Sequence, residues 1–222
     1  MTVNTSGEKY EPLYLAAIEI IDSVKTRFGV DLDWRWGGGT AMMLRHRHRH
    51  SFDIDIFVDD PQTLGYISPR LNDTSENFSS HYIEQGGFVK MFLPDGEVDF
   101  IVAPTLTDEP VTDAFINGRL VKIETDIEIV AKKIFYRSKN FTGRDVFDLC
   151  FLLEDDPLAH RVLSKIANIS EKLVDIETQL GKEVTKKEFS AVRSISFTPV
   201  YEDAANKVMT LVNQEVKRKP RL

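Results

Sequence analysis

A single cysteine, Cys150, excludes an internal disulfide in this chain of 222 residues. It falls in the apolar run Val146-Phe147-Asp148-Leu149-Cys150-Phe151-Leu152-Leu153, which points to a buried, reduced thiol. Long hydrophobic runs are missing too. Nothing approaches the ~20 apolar residues of a membrane span, and the polar start Met1 to Lys9 has no apolar signal core, so a cytoplasmic protein is expected. Positive charge is also in short supply. A formal net charge of −7 argues against a surface that coats nucleic acid broadly and leaves local basic patches at Arg45 to His50 and Lys217 to Arg221. Internal repeats, low-complexity tracts and glycine- or serine-rich linkers are absent.

What is present suffices for a hydrophobic core without staples, as one generous domain or two small ones. Leu13, Ala16, Ala17, Ile20, Ile21, Val24 and Phe28 recur at helical spacing, with Gly29 as the stop. Leu32 to Trp36 reads as a short strand, Gly37-Gly38-Gly39-Thr40 as a turn into a short helix from Ala41 to Arg45, and Phe52 to Val58 as a buried strand. A turn-rich segment, Gln62 to Ser80, holds one short helix around Pro69. Three strands, His81 to Gln85, Phe88 to Leu93 and Glu97 to Val102, form an antiparallel meander. Gly118 to Ile123 adds a last strand. Thr125-Asp126-Ile127-Glu128 has the capping-box pattern that opens a helix to Ser138, and Thr142 caps the next, Arg144 to Leu153. Helical spacing resumes at Pro157, with Gly181 to Lys187 as a connection. The expected fold class is α+β, with a mixed or antiparallel sheet flanked by helices over residues 1–124 and a helical part over 125–222.

Chemistry is concentrated in Gly38-Gly39-Thr40 and Asp53-Ile54-Asp55-Ile56-Phe57. Side chains at i and i+2 of a strand share a face, so Asp53 and Asp55 can converge while Ile54 and Ile56 face the core. Two carboxylates so placed repel without a cation, and magnesium favours hard oxygen ligands with room for substrate phosphates. The glycines let backbone amides approach a phosphate closely. Asp99, in Glu97-Val98-Asp99-Phe100-Ile101, is turned by the same alternation away from core-facing Val98 and Phe100. On a neighbouring strand it would complete a three-acid site able to hold two magnesium ions, with Asp99 as a candidate general base. Ser51 precedes Asp53 by two residues and is placed to touch phosphate, so modification of Ser51 should block the site. Arg49 can supply counter-charge from the opposite side.

A glycine pair, thirteen intervening residues and an acid-apolar-acid-apolar strand resemble the polymerase-β-like nucleotidyltransferase superfamily. Gly38-Gly39-Thr40-Ala41 and His48-Arg49-His50-Ser51-Phe52-Asp53-Ile54-Asp55-Ile56-Phe57 resemble more closely the first motif of the AbiEii/AbiGii toxin family. Glu128-Ile129-Val130-Ala131-Lys132-Lys133-Ile134 and Arg144-Asp145-Val146-Phe147-Asp148-Leu149 resemble its downstream helical motifs, so the likeness covers residues 34 to 153. It implies a polymerase-β-like core that transfers a nucleoside monophosphate from an NTP to an acceptor hydroxyl. It further implies a toxin of a toxin-antitoxin or phage-defence pair, tRNA as acceptor and a cognate antitoxin as partner. Lys133 would reach the nucleotide phosphates with Asp145 beside it; the spacing equally allows Lys132.

Simpler readings stand beside these. Lys132 and Lys133 can form an exposed helix face. Arg144 and Asp145 can be a helix-start pair, and Asp148 is better placed for a structural ion pair. Trp34 and Trp36 fit packing better than base stacking. The Arg45 to His50 run is a poor zinc site, because its own positive charges oppose a cation. A protein hydroxyl is the other acceptor considered, and a nucleotide-binding regulator without turnover is the reading from a different class.

Overall fold

The structure, a computed structural model, describes residues 1–218, with side chains to Glu215. The side chains of the basic run Lys217-Arg218-Lys219-Pro220-Arg221 lie outside the described residues. The chain divides into two compact units, residues 1–44, 51–105 and 111–125 in the first, and 45–50, 106–110 and 126–222 in the second.

The first unit is built on a mixed sheet of eight strands among the described residues. They are β1 (Thr2–Val3), β2 (Trp34–Gly37), β3 (Ile54–Val58), β4 (Tyr82–Gln85), β5 (Phe88–Leu93), β6 (Gly96–Val102), β7 (Val111–Ile116) and β8 (Arg119–Glu124), in the order β1-β7-β8-β2-β3-β6-β5-β4. β4, β5 and β6 form the expected antiparallel meander, and β6 lies parallel to β3. β7 was not anticipated. It forms a hairpin with β8 through Asn117-Gly118, whose φ values of 51° and 81° are those demanded by a two-residue turn twisted to match its strands.

Helix α1 (Glu11–Phe28) packs its apolar stripe on the sheet, with Leu13, Ala17, Ile20 and Val24 wholly excluded from solvent. Gly29 ends it in the left-handed conformation at φ 70°, returning its amide to the Lys25 carbonyl. Beneath α1 lie Ile54 and Ile56 of β3 and Val98 and Phe100 of β6, all fully buried. Trp36 is core as well, its ring centroid 4.9 Å from that of Tyr14. Helix α2 (Gly38–His46) follows β2 directly, while the segment around Pro69 holds two short helices, α3 (Thr63–Ile67) and α4 (Asp73–Phe78), where one was expected.

The second unit is helical: α5 (Asp126–Arg137), α6 (Gly143–Asp155), α7 (Ala159–Leu163), α8 (Ile169–Leu180), α9 (Glu183–Ser190) and α10 (Tyr201–Arg218). The stretch expected to connect two helices at Gly181 to Lys187 is mostly α9 itself. Residues 45–50 join this unit through backbone bonds to 193–196, including the His50 amide to the Arg193 carbonyl at 2.8 Å. Residues 106–110 join it through Glu128, whose carboxylate accepts from the amides of Leu106 and Thr107 and from the Thr107 hydroxyl. No helix among the described residues is long and apolar enough to cross a membrane.

Candidate active site

In the first unit, the β2–α2 turn sits tightly against two acids. Gly38 has φ 71°, and a β-carbon there would lie 1.8 Å from Asp55 Oδ2. Only glycine tolerates both the conformation and the contact. The Thr40 hydroxyl, fully buried two residues later, lies 2.6 Å from the Asp53 carbonyl oxygen and 3.1 Å from Ser51 Oγ. Ser51 also donates its amide to the Met43 sulfur at 3.2 Å. The turn, the start of α2 and the approach to β3 are therefore one bonded piece.

The acids stand as the alternation requires. Asp55 and Asp99 are register partners on parallel β3 and β6, on the face opposite Ile54, Ile56, Val98 and Phe100. Asp53 falls one residue before β3, and its Oδ1 lies 3.3 Å from the Glu97 amide at the start of β6. A residue that sequence reasoning passed over completes the group. Lys90 faces Asp99 from β5, its ammonium 2.7 Å from Asp99 Oδ2 and in contact with the Glu97 carboxylate. The signal was faint: a lone lysine alternating with Val89 and Met91, whose opposite number depends on register.

Asp99 is incompletely compensated. Its Oδ1 is buried without a hydrogen-bond partner. Burial, with Glu97 and Asp53 adding to it, pushes the carboxyl above the usual carboxylate range despite Lys90. At Lys90 burial works the other way, but the two carboxylates outweigh it and hold the ammonium firmly charged. Among the described residues no three His, Cys, Asp or Glu side chains are already gathered as a metal cage. The donor set nonetheless fits a hard divalent cation, being all carboxylate, with an orphaned Asp99 oxygen and Asp55 directly across the ladder.

Arg49, Lys133 and Asp145 belong to the second unit and gather around Asp148 there. Asp148 is wholly buried and takes Arg49 in a two-pronged pair, Nε to Oδ1 at 2.6 Å and Nη2 to Oδ2 at 2.7 Å. His48 Nε2 lies 2.9 Å from the same carboxylate, and the Lys133 ammonium touches it as well. Burial opposes the charge on Asp148, yet Arg49 and Lys133 hold it well below the usual carboxylate range. Asp145 is 3.1 Å from Lys133 and 3.2 Å from Arg137, and with Thr142 it closes the capping box that opens α6. Its carboxyl is also lowered: burial opposes, and Lys133 and Arg137 prevail. Lys132 lies 3.6 Å from Glu128 on its own helix. The expected Asp148 ion pair is thus a whole network, and both lysines of the pair are buried instead of forming an exposed face.

The family profile described as nucleotidyl transferase AbiEii toxin, type IV TA system, matches residues 26–217. Among solved structures, JHP933 from Helicobacter pylori is similar at 14% identity and a TM-score of 0.46, over 96% of this chain and 95% of that one. The antibiotic-resistance factor ANT(2″)-Ia is similar at 17% identity and a TM-score of 0.43, over 93% of each chain. The cyclic dinucleotide synthase CdnE from Elizabethkingia meningoseptica gives 12% identity and a TM-score of 0.36, over 96% and 94%. Among curated proteins, none matches the chain.

Proposed function

The chain belongs to the AbiEii nucleotidyltransferase toxin family, and from that premise we propose that its first unit transfers a nucleoside monophosphate from an NTP to the hydroxyl of an RNA acceptor, with tRNA as the favoured class. The acceptor oxygen forms a bond to the α-phosphorus as the bond to the β-phosphate oxygen breaks, and pyrophosphate leaves. The observation that carries this reading is the Asp55–Asp99 register pair with the Gly38 backbone pressed against Asp55.

Asp53, Asp55 and Asp99 are assigned to hold magnesium. A magnesium ion held there would supply positive charge to the phosphates and to the acceptor oxygen as it loses its proton. Asp99, through its unpartnered oxygen, is the third ligand and the candidate base. Gly38, Gly39 and Thr40 form the phosphate turn: the opening of α2 supplies backbone N–H donors with a favourable dipole, and Thr40 fixes the backbone of Asp53. Ser51, bonded to Thr40, is assigned to the nucleotide, and its modification is expected to block the turn.

The nucleotide contacts that the family likeness implies for Arg49, Lys133 and Asp145 are proposed as secondary to the network these residues form in the second unit. Lys133→Gln should then raise the KM for NTP and also lower the melting temperature. In a cell the activity is assigned to the toxin of a type IV-like toxin-antitoxin or phage-defence pair, with an antitoxin protein as partner.

The test incubates the protein with magnesium and each labelled nucleoside triphosphate, together with either total RNA or lysate protein. Label entering RNA with pyrophosphate release is the expected result. Label entering protein would move the acceptor to a protein hydroxyl. Label in neither fraction, without pyrophosphate, would leave a nucleotide-binding regulator.

A further inference from the structure

Lys90 has no part in the transfer chemistry just described, yet it occupies a strategic position. Its ammonium is 2.7 Å from Asp99 Oδ2 and touches the Glu97 carboxylate, while Asp99 Oδ1 is left buried and unpaired. Asp99 is thereby divided into one oxygen held by the protein and one left open. Asp55 pairs with Asp99 across the β3–β6 ladder, and Asp53 reaches the Glu97 amide, so the carboxylates of Asp53, Asp55, Glu97 and Asp99 crowd negative charge around the site of the Lys90 ammonium. An ammonium at this spot does part of the work of a divalent ion when none is bound, and it repels one that arrives.

We propose that Lys90 is a positioning residue, a built-in cation that orders Asp99 and Glu97 in the nucleotide-free protein and makes divalent metal bind tightly only together with a nucleoside triphosphate. The inference rests on the assignment of Asp53, Asp55 and Asp99 to the metal. The triphosphate brings its own anionic oxygens, which offset the repulsion that Lys90 imposes on the metal. Repulsion between an ammonium and a divalent cation sharing one carboxylate is worth on the order of a tenfold change in affinity, even with water-like screening.

The experiment is a titration of the full chain with Mn2+, followed by the electron paramagnetic resonance signal of the free ion. It is run without nucleotide and again with a non-hydrolysable nucleoside triphosphate. Lys90→Met keeps the aliphatic stem and Lys90→Gln keeps a polar end, so both variants are tested, with folding checked by thermal melting. Without nucleotide, both should bind Mn2+ about tenfold more tightly than the wild type, and Lys90→Arg should match the wild type. With nucleotide the difference should shrink. A purely structural lysine would not change metal affinity in a charge-dependent way. Equal or weaker Mn2+ binding by Lys90→Met and Lys90→Gln, while the Asp53→Asn/Asp55→Asn double variant loses Mn2+, would overturn the role of Lys90 and leave the metal assignment standing. Mn2+ binding that ignores the double variant would bring down both.

Discussion

At the scale of single residues, Gly38 is where conformation and chemistry meet. A side chain there must adopt φ 71° and would place its first carbon 1.8 Å from Asp55 Oδ2. Gly38→Ala should therefore cost about 1–3 kcal/mol in urea unfolding. By displacing Asp55 it should slow nucleotide transfer on the order of a hundredfold. The Asp53→Asn/Asp55→Asn double variant should behave differently, losing transfer by more than a hundredfold with its melting temperature within a few degrees of wild type. A double variant that retains transfer would remove these acids from the mechanism. Asp55 and Asp99 were legible in the sequence because strand alternation decides a face from four or five residues. Lys90 was not, because its partner is set by the β5–β6 register, which local pattern does not encode.

At the scale of elements, the α5–α6 pair is joined by charge as much as by apolar packing. Removing the Asp148 carboxylate takes the two-pronged acceptor from the buried Arg49 guanidinium and one of two carboxylates from the buried Lys133 ammonium, which keeps Asp145 at 3.1 Å, so Asp148→Ala should destabilise by about 3 kcal/mol in a denaturant melt. Loss of the α6 cap in Thr142→Ala should cost less, about 1 kcal/mol. The capping box at Thr142, the Gly29 stop and the meander were all readable, since each depends on residues within a few positions of one another. β7 escaped because Val111-Thr112-Asp113-Ala114-Phe115-Ile116 alternates poorly, leaving Phe115 half exposed. The return of residues 45–50 to the helical unit escaped for another reason. Its bonds to 193–196 span some of the longest sequence separations in the chain, and no periodicity reports them.

At the scale of the whole molecule, opposing titrations define a pH window. Asp145 and Asp148 are lowered in the folded chain, so their contribution is complete above the unfolded carboxylate value of about 3.9 and is lost as the pH falls through their folded values. His46 is raised, chiefly by its hydrogen bond to Asp126. Its contribution is complete below the unfolded imidazole value of about 6.5 and fades as the pH climbs through the raised one. The urea midpoint should be highest between about pH 4 and 6.5, and Asp126→Asn should flatten the alkaline side of that profile. A second whole-molecule measurement needs no engineering. Cys150 lies within α6, 1% exposed, and burial pushes its thiol up to about 11. Thiols react as thiolates, so the native chain should resist alkylating reagents until the helices around Cys150 part. The lone sulfhydryl is thus a stopwatch fitted to the second unit, and its labelling rate reads how often that unit opens.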